Sequence, residues 1–298
     1  MVIGRFAPSP TGPLHVGNLR TALLAWLFAR SAGSSFLLRI EDLEARPDNA
    51  AHEAGQRRDL QALGLDWDGP VVHQSERRAR HHAMLAALEE RGLTYPCFCS
   101  RREIREAAAA PHGPVPGVYP GTCRELTDEE RRRQFDEGRP AALRLRSSGE
   151  VVTIDDRLRG PVTLAVDDVV LRRNDGVPAY NLAVVVDDAD QGVGEVVRGD
   201  DLLSSTPRQA HLADLLGLAR PTWAHVPLVV GTDGERLAKR HGAVTLADLA
   251  REGRGADAVR SEIAASLGLA APGEPVTVGQ LLDRFDPARL PTEPWVRA

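Results

Sequence analysis

The chain has 298 residues, 42% of them hydrophobic and 27% charged, with a net charge of −5; this is the composition of a folded protein with a sizeable core, not of a disordered or fibrous chain. No apolar run approaches the ~20 residues that span a bilayer, and no basic segment followed by an apolar one marks the N-terminus, so a cytoplasmic protein without a membrane partner is expected. Three cysteines, an odd number, argue against a disulfide framework, and the net charge neither requires nor excludes nucleic acid.

Val2 to Ala7 is a short, mostly apolar run that suits a buried strand, and Pro8, Pro10, Thr11, Gly12 and Pro13 break it with dense turn chemistry. Leu19, Leu23, Trp26 and Leu27 then recur at helical spacing, which predicts a helix from near Gly17 or Asn18 to about Ala32. A strand, a tight turn and a helix N-terminus gather unpaired backbone N–H groups and a positive dipole end, a ready site for phosphate. Within His15-Val16-Gly17-Asn18, Gly17 leaves room for a nucleotide, and His15 and Asn18 offer side-chain donors. Alone, these four residues fit an ordinary strand-to-helix turn equally well.

Phe36 to Ile40 reads as a second buried strand ending in Glu41 and Asp42, at the strand end where open α/β sheets place ligands. Glu41 there either holds an ammonium group or serves as a surface acid or helix cap. Asn49 to Leu63 looks helical with Gly64 as its stop, Val71 to Gln74 is a short strand, and Glu76 to Glu90 is a helix ended by Gly92. The alternation predicts a parallel, doubly wound sheet.

The pattern changes at Thr94. Cys97-Phe98-Cys99 is followed by the alanine-rich, helix-like Arg101 to Ala110, then by a proline-rich loop carrying His112, Tyr119 and Cys123. Three cysteines this close in a reducing compartment point to a structural Zn²⁺ site, or else to buried thiols without metal. Zinc needs a fourth ligand; among nearby residues His112 is the ordinary chemical choice. Leu126 to Gly138 is a charged helix with a capping box from Thr127 to Glu130. Strand-like runs follow at Ala142–Arg146, Val151–Asp155, Val162–Val166 and Val169–Arg172, and Asn174-Asp175-Gly176 is a turn signal. These form an α+β module inserted between two halves of the sheet. Basic clusters at Arg77, Arg78, Arg80, His81 and His82, at Arg101, Arg102 and Arg105, at Arg131 to Arg133, and at Arg144 with Arg146 are either solvated helix faces or RNA-binding surfaces.

The sheet then resumes with a helix at Asn181–Asp187 beside Tyr180, a strand at Glu195–Arg198 that runs into Gly199-Asp200-Asp201, and a helix at Thr206–Leu216. Thr222 to Val230 is extended and leads to Arg236-Leu237-Ala238-Lys239-Arg240-His241. Lys239 is the one lysine among 37 basic residues, a mobile point charge suited to following phosphate oxygens, or a lysine retained by chance. From Val244 onward the chain looks helical, with a Thr245–Asp248 capping box and a second helix near Ala256 to Leu267.

Together RFAPSPTGPLHVGN at Arg5–Asn18, RIEDLE at Arg39–Glu44, YNLAVVVDD at Tyr180–Asp188, VVRGDDLL at Val196–Leu203 and LAKRH at Leu237–His241 resemble the glutamyl-tRNA synthetases, class I aminoacyl-tRNA synthetases whose signatures stand here as HVGN and LAKRH. The chain length and the CFC…YPGTC segment are more narrowly similar to the truncated branch, the glutamyl-queuosine tRNA(Asp) synthetases. The resemblance implies a Rossmann-type α/β catalytic domain in two halves (1–92 and 177–220), an inserted α+β zinc-containing module of the acceptor-binding type (93–176), and a lysine-motif loop with a helical, stem-contact-type C-terminal region (221–298). It further implies that no anticodon-binding domain follows.

The resemblance also assigns roles. Arg5, Phe6, Ala7, Pro8, Ser9, Glu41, Tyr180 and Arg198 would bind glutamate; His15, Gly17, Asn18 and Lys239 would bind ATP, with His15 and Lys239 catalytic. Cys97, Cys99, Tyr119 and Cys123 would hold the zinc, Tyr119 taking the place that ordinary ligand chemistry gives to His112. Mg²⁺ would accompany ATP. The partners implied are ATP, L-glutamate and tRNA, with the chain acting as a monomer. Ala238 departs from the signature, which has a serine there, and removes a hydroxyl contact to phosphate. The expected reaction is glutamate activation followed by transfer to queuosine in the anticodon of tRNA(Asp). A truncated synthetase charging tRNA acceptor ends, a nucleotide-cofactor adenylyltransferase with a similar HxGH-type turn, and a non-catalytic RNA-binding relative are the alternatives.

Overall fold

The computed structural model describes residues 2–100, 102–104, 119–237, 242 and 244–297. Strands β1 (Gly4–Phe6), β2 (Phe36–Ile40) and β3 (Val72–His73) run parallel in the order β1-β2-β3. Helix α1 (Val16–Ser31) and helix α2 (Asn49–Ala62) make the first two crossovers, and a short 3-10 turn at Gln74–Arg77 leads into α3 (Arg78–Glu90). Strand β9 (Glu195–Gly199) lies on the other side of β1, tied by the Ile3–Val193 bridge and by Gly194 N–H donating to Ile3 C=O. Next to β9 comes β10 (Thr222–Val226), also parallel. The doubly wound sheet expected from the alternation is therefore present, and the β1/β9 boundary is its switch point.

The segment between the two halves has two parts. Strands β4 (Thr94–Cys97), β5 (Ala142–Leu145) and β8 (Val170–Arg172) form a separate antiparallel sheet. The hairpin β6 (Val151–Asp156) and β7 (Gly160–Ala165) instead joins the catalytic sheet, because the end of β6 pairs with β10 at Asp156 and Trp223. Helix α4 (Asp128–Asp136) carries the expected Thr127–Glu130 capping box. Helices α5 (Tyr180–Asp190) and α6 (Thr206–Leu216) flank β9 in the chain.

The C-terminal part has strand β11 (Val229–Val230), helices α7 (Leu246–Arg251), α8 (Ala256–Ser266) and α9 (Val278–Arg284), and strand β12 (Trp295–Val296) paired with β11. Helix α9 and β12 are additions to the sequence reading. Leu246, Leu249, Val259, Ile263 and Leu281 share one core with Leu19, Leu23, Leu24 and Leu27. That is why α1 is apolar nearly all round: the sheet covers one face and the C-terminal helices another. Each such leucine contributes about 1.5–3 kcal/mol of burial, so the helix is held rigidly from both sides. Among the described residues no helix is long and apolar enough to cross a membrane.

Two expected basic surfaces are engaged internally. Arg77 and His81 pair with the fully buried Asp187, and Arg80 with Asp190. Arg144 is buried, donates to Asp168 C=O, and stacks over the Tyr119 ring at 3.7 Å. These side chains fasten α3 to α5 and close the small sheet, so the arginines among them are engaged within the fold. Arg101 and Arg105 lie outside the described residues.

Candidate active site

At the carboxyl ends of β1, β2 and β9 lies a cavity of about 590 Å³. Arg5, Phe6, Ala7, Pro8, Ser9, His15, Gly17, Asn18, Glu41, Tyr180 and Arg198 all line it. Residues separated by up to two thirds of the chain thus converge on one chamber, as open α/β sheets place their ligands.

One end of the chamber is built by α1. His15 is the N-cap: its Nδ1 accepts from Asn18 N–H at 3.3 Å, and its own N–H donates to Asn18 Oδ1 at 3.2 Å. A capping box of this kind satisfies two of the helix's orphan donors. Because Nδ1 accepts, the neutral ring carries its proton on Nε2 and has one donor left over. Burial, and next the Arg236 guanidinium, push the His15 imidazole down to about 4. Asn18 is thus committed through its carbonyl oxygen to the cap, a role the sequence reading had not assigned. Gly17 has a close neighbour within the protein: a Cβ there would lie 2.9 Å from His15 Cε1. Glycine leaves the space into which the His15 ring folds back over its own helix, and a side chain there would push against that ring.

The turn between β1 and α1 is held by Gln56 of α2, whose side-chain amide donates to Ser9 C=O at 2.9 Å and Gly12 C=O at 2.8 Å. Those bonds give the proline-rich loop one shape despite its lack of regular structure.

Another part of the chamber is dominated by buried charge. Asp188 accepts from Arg5 Nε at 3.2 Å and from Arg39 Nη1 at 2.7 Å. Arg39, fully buried, also reaches Gln191 Oε1 at 2.8 Å and Glu41 Oε1 at 3.5 Å. Burial alone would raise Asp188, but Arg39 and Arg5 outweigh it and hold its carboxyl below the ordinary range. Burial pushes the Glu41 carboxyl up, against the pull of Arg39 and Arg5. Two cations and two carboxylates balance here.

Arg198 differs. It is 5% exposed, and its three acceptors are all neutral: His225 Nε2 at 3.1 Å, Thr206 Oγ1 at 2.8 Å and Tyr180 Oη at 3.4 Å. Among the described residues no carboxylate forms an ion pair with it, and burial pulls its guanidinium below the ordinary value. A desolvated cation facing a chamber without its own counter-ion is a receptor for an anion.

Lys239 lies outside the described residues, as do Ala238, Arg240 and His241. The chain on either side is anchored at the cavity: Leu237 N–H donates to Val229 C=O, and Val16 N–H donates to Val244 C=O. Arg236 lines the cavity and pairs with Asp201 at 2.7 Å.

The sequence reading did not find Asp188, Gln56, Thr206, His225 or Asp156, nor a role for Arg39. A signal existed for Arg39, an arginine inside the apolar strand Phe36–Ile40, which demands an internal partner. Gln56 sits in an ordinary amphipathic helix and gave none.

The second polar cluster is remote in character. Cys97, Cys99 and Cys123 bring their sulfurs within 4.8 Å of one another. The Tyr119 hydroxyl lies 3.3 Å from Cys97 Sγ and 3.6 Å from Cys99 Sγ, and accepts from Cys123 N–H at 2.9 Å. Three sulfurs and an oxygen converging on one point fit a tetrahedral metal site. His112, the alternative ligand, lies outside the described residues.

The profile of the family described as "tRNA synthetases class I (E and Q), catalytic domain" matches residues 1–270. The chain is 61% identical to a protein of Nocardia farcinica named glutamyl-Q tRNA(Asp) synthetase, over 98% of this chain and 92% of that one. It is 49% identical to one of the same name from Symbiobacterium thermophilum, over 99% and 95%. Among solved structures, a glutamate tRNA ligase from Elizabethkingia meningosepticum in complex with its amino acid superposes with a TM-score of 0.84 at 27% identity, over all of this chain and 67% of that one. With the family profile spanning most of its length and relatives this similar from end to end, the chain belongs to the class I tRNA synthetases of the glutamate and glutamine type, in the group named glutamyl-Q tRNA(Asp) synthetase.

Proposed function

We propose that the protein activates L-glutamate with ATP to glutamyl-adenylate and transfers the glutamate to the queuosine base in the anticodon of tRNA(Asp). The observation that carries the first half is Arg198, a buried cation with only neutral acceptors, in the same chamber as the N-terminus of α1. A glutamate carboxylate supplies its missing counter-ion, with the Tyr180 hydroxyl beside it. Glu41 takes the α-ammonium, and Arg5 to Ser9 form the wall that orients the substrate. Rejection of glutamine follows, because a neutral amide leaves Arg198 uncompensated.

Activation is attack of the α-carboxylate oxygen on the α-phosphorus of ATP, with pyrophosphate leaving. His15 Nε2–H, the Gly17 backbone N–H and the Asn18 side-chain NH2 hold the nucleotide, and Lys239 follows the charge that moves onto pyrophosphate. Mg²⁺ arrives with ATP. Positioning and charge neutralisation are the whole of the catalysis; no covalent enzyme intermediate is needed.

Support for the queuosine acceptor comes from the names of its relatives: the proteins of Nocardia farcinica and Symbiobacterium thermophilum, 61% and 49% identical, are both named glutamyl-Q tRNA(Asp) synthetase. On this reading the segment 93–176 is the RNA-contacting module, and Zn²⁺ held by Cys97, Cys99, Tyr119 and Cys123 braces it. The protein works as a cytoplasmic monomer. The test is transfer of labelled glutamate onto tRNA from queuosine-producing cells and from cells lacking queuosine. Label confined to the first pool is expected. Equal label on both would instead mean that an acceptor end is charged.

A further inference from the structure

Arg198 owes its position to a pair of buried residues outside the chamber. His225, on β10, and Asp156, at the end of β6, are both buried, His225 completely. Asp156 Oδ2 lies 2.5 Å from His225 Nδ1, and the same carboxylate accepts from the backbone N–H groups of His225, Leu158 and Arg159. On the far side of the ring, His225 Nε2 lies 3.1 Å from Arg198 Nε. A carboxylate only accepts and a guanidinium only donates, so the ring has one arrangement: Nδ1–H donates to Asp156, and Nε2 accepts from Arg198. Protonating the ring would set one N–H against another. Burial outweighs the pull of Asp156 and, with Arg198 adjacent, keeps the imidazole below its ordinary value.

We infer that Asp156 and His225 form a positioning dyad for glutamate recognition, holding the Arg198 guanidinium at a fixed angle toward the substrate carboxylate while leaving its charge uncompensated. This rests on the glutamate-activating reading above. The chemistry explains why the acceptor is an imidazole and not an acid. A carboxylate at residue 225 would orient Arg198 equally well but would neutralise it, and the pocket would lose its attraction for an anion. The Asp156 charge is kept one ring further away and is occupied by three backbone N–H donors. Because β6 belongs to the segment inserted between the two halves of the sheet, the dyad also makes the glutamate pocket depend on the docking of that hairpin against β10.

The test is glutamate-dependent ATP–pyrophosphate exchange in the full chain, with KM for glutamate and for ATP measured separately. His225→Phe fills the ring's space without an acceptor; His225→Gln restores an acceptor near the Nε2 position. A glutamate KM about 10- to 100-fold higher in His225→Phe is expected, the scale of a misplaced binding group, with ATP KM unchanged and most of the loss recovered in His225→Gln. Unchanged glutamate KM in His225→Phe, or equal defects in the two variants, would overturn the dyad's role while wild-type exchange left the function standing. Absence of glutamate-dependent exchange in the wild type would overturn the functional reading itself, and the dyad's role with it.

Discussion

Two groups of buried arginines stand on either side of the β1/β9 boundary, and their surroundings are opposite. Arg5 and Arg39 are closed into a balanced set with Asp188 and Glu41. Arg198, on the next strand, has only a histidine, a threonine and a tyrosine as acceptors. The first arrangement resembles a mortar: Asp188 answers Arg5 and Arg39 within the fold, and removing it leaves both stranded. The second holds a charge in readiness at a cost to stability, which is tolerable only if a ligand answers it. Burial alone does not distinguish scaffold from receptor: carboxylate partners mark Arg5 and Arg39 as scaffold, and neutral partners together with a place at the chamber mark Arg198 as receptor.

The sharpest way to break this contrast is to delete Arg198. Arg198→Ala should reduce glutamate-dependent pyrophosphate exchange by roughly 30- to 3,000-fold, the range for losing one partner of a buried charged pair, while thermal unfolding shows no loss of stability. A drop in melting temperature instead would mean that Arg198 is scaffold like its neighbours. Asp188→Ala should do the reverse, since it strands Arg5 and Arg39; chemical denaturation is expected to show about 3–5 kcal/mol of destabilisation. Lys239→Ala sharpens the division within the site: it should lose most exchange activity while glutamate binding, followed by calorimetry, survives. Near-normal exchange in that variant would remove Lys239 from catalysis.

Smaller effects are expected farther from the charge contrast. Cys123→Ser should lower the zinc content of the purified protein, read by metal analysis, and loosen the segment around Tyr119 without changing glutamate KM. An equal zinc content in wild type and variant would discard the four-donor assignment. The smallest effect concerns His15. Its folded-state value is about 4 against an ordinary 6.5, so below pH 6.5 the unfolded chain takes up the proton first. Its contribution to stability is therefore present above pH 6.5 and is lost as pH falls toward about 4. His15→Asn keeps an N-cap without a titrating ring and should flatten that part of the stability profile, measured by denaturant unfolding at several pH values.

How far the sequence could be read follows the range of the interactions involved. Helix α1, strand β2, helix α6 and the capping boxes at Thr127 and Thr245 are set by periodicity and by neighbours three or four residues away, and they were legible. The chamber's lining was legible through its motifs, because each motif sits at a strand end or helix start that the local pattern already marks. The cap made by His15 was not, since histidine is not among the usual N-cap residues and its ring was read as facing only the ligand.

The sequence by itself therefore determined the alternation of strands and helices, the family, and the residue types gathered at the sheet's edge. Tertiary structure alone decided that Arg198, unlike Arg5 and Arg39 beside it, meets only neutral acceptors, what Gly17 packs against, and which residues stand behind the pocket. The physical reason is that charge compensation is settled between residues 149 to 183 positions apart, as between Asp188 and Arg39 or Arg5. It is invisible to any local pattern. An arginine reads the same in sequence whether a carboxylate or a neutral imidazole awaits it across the fold.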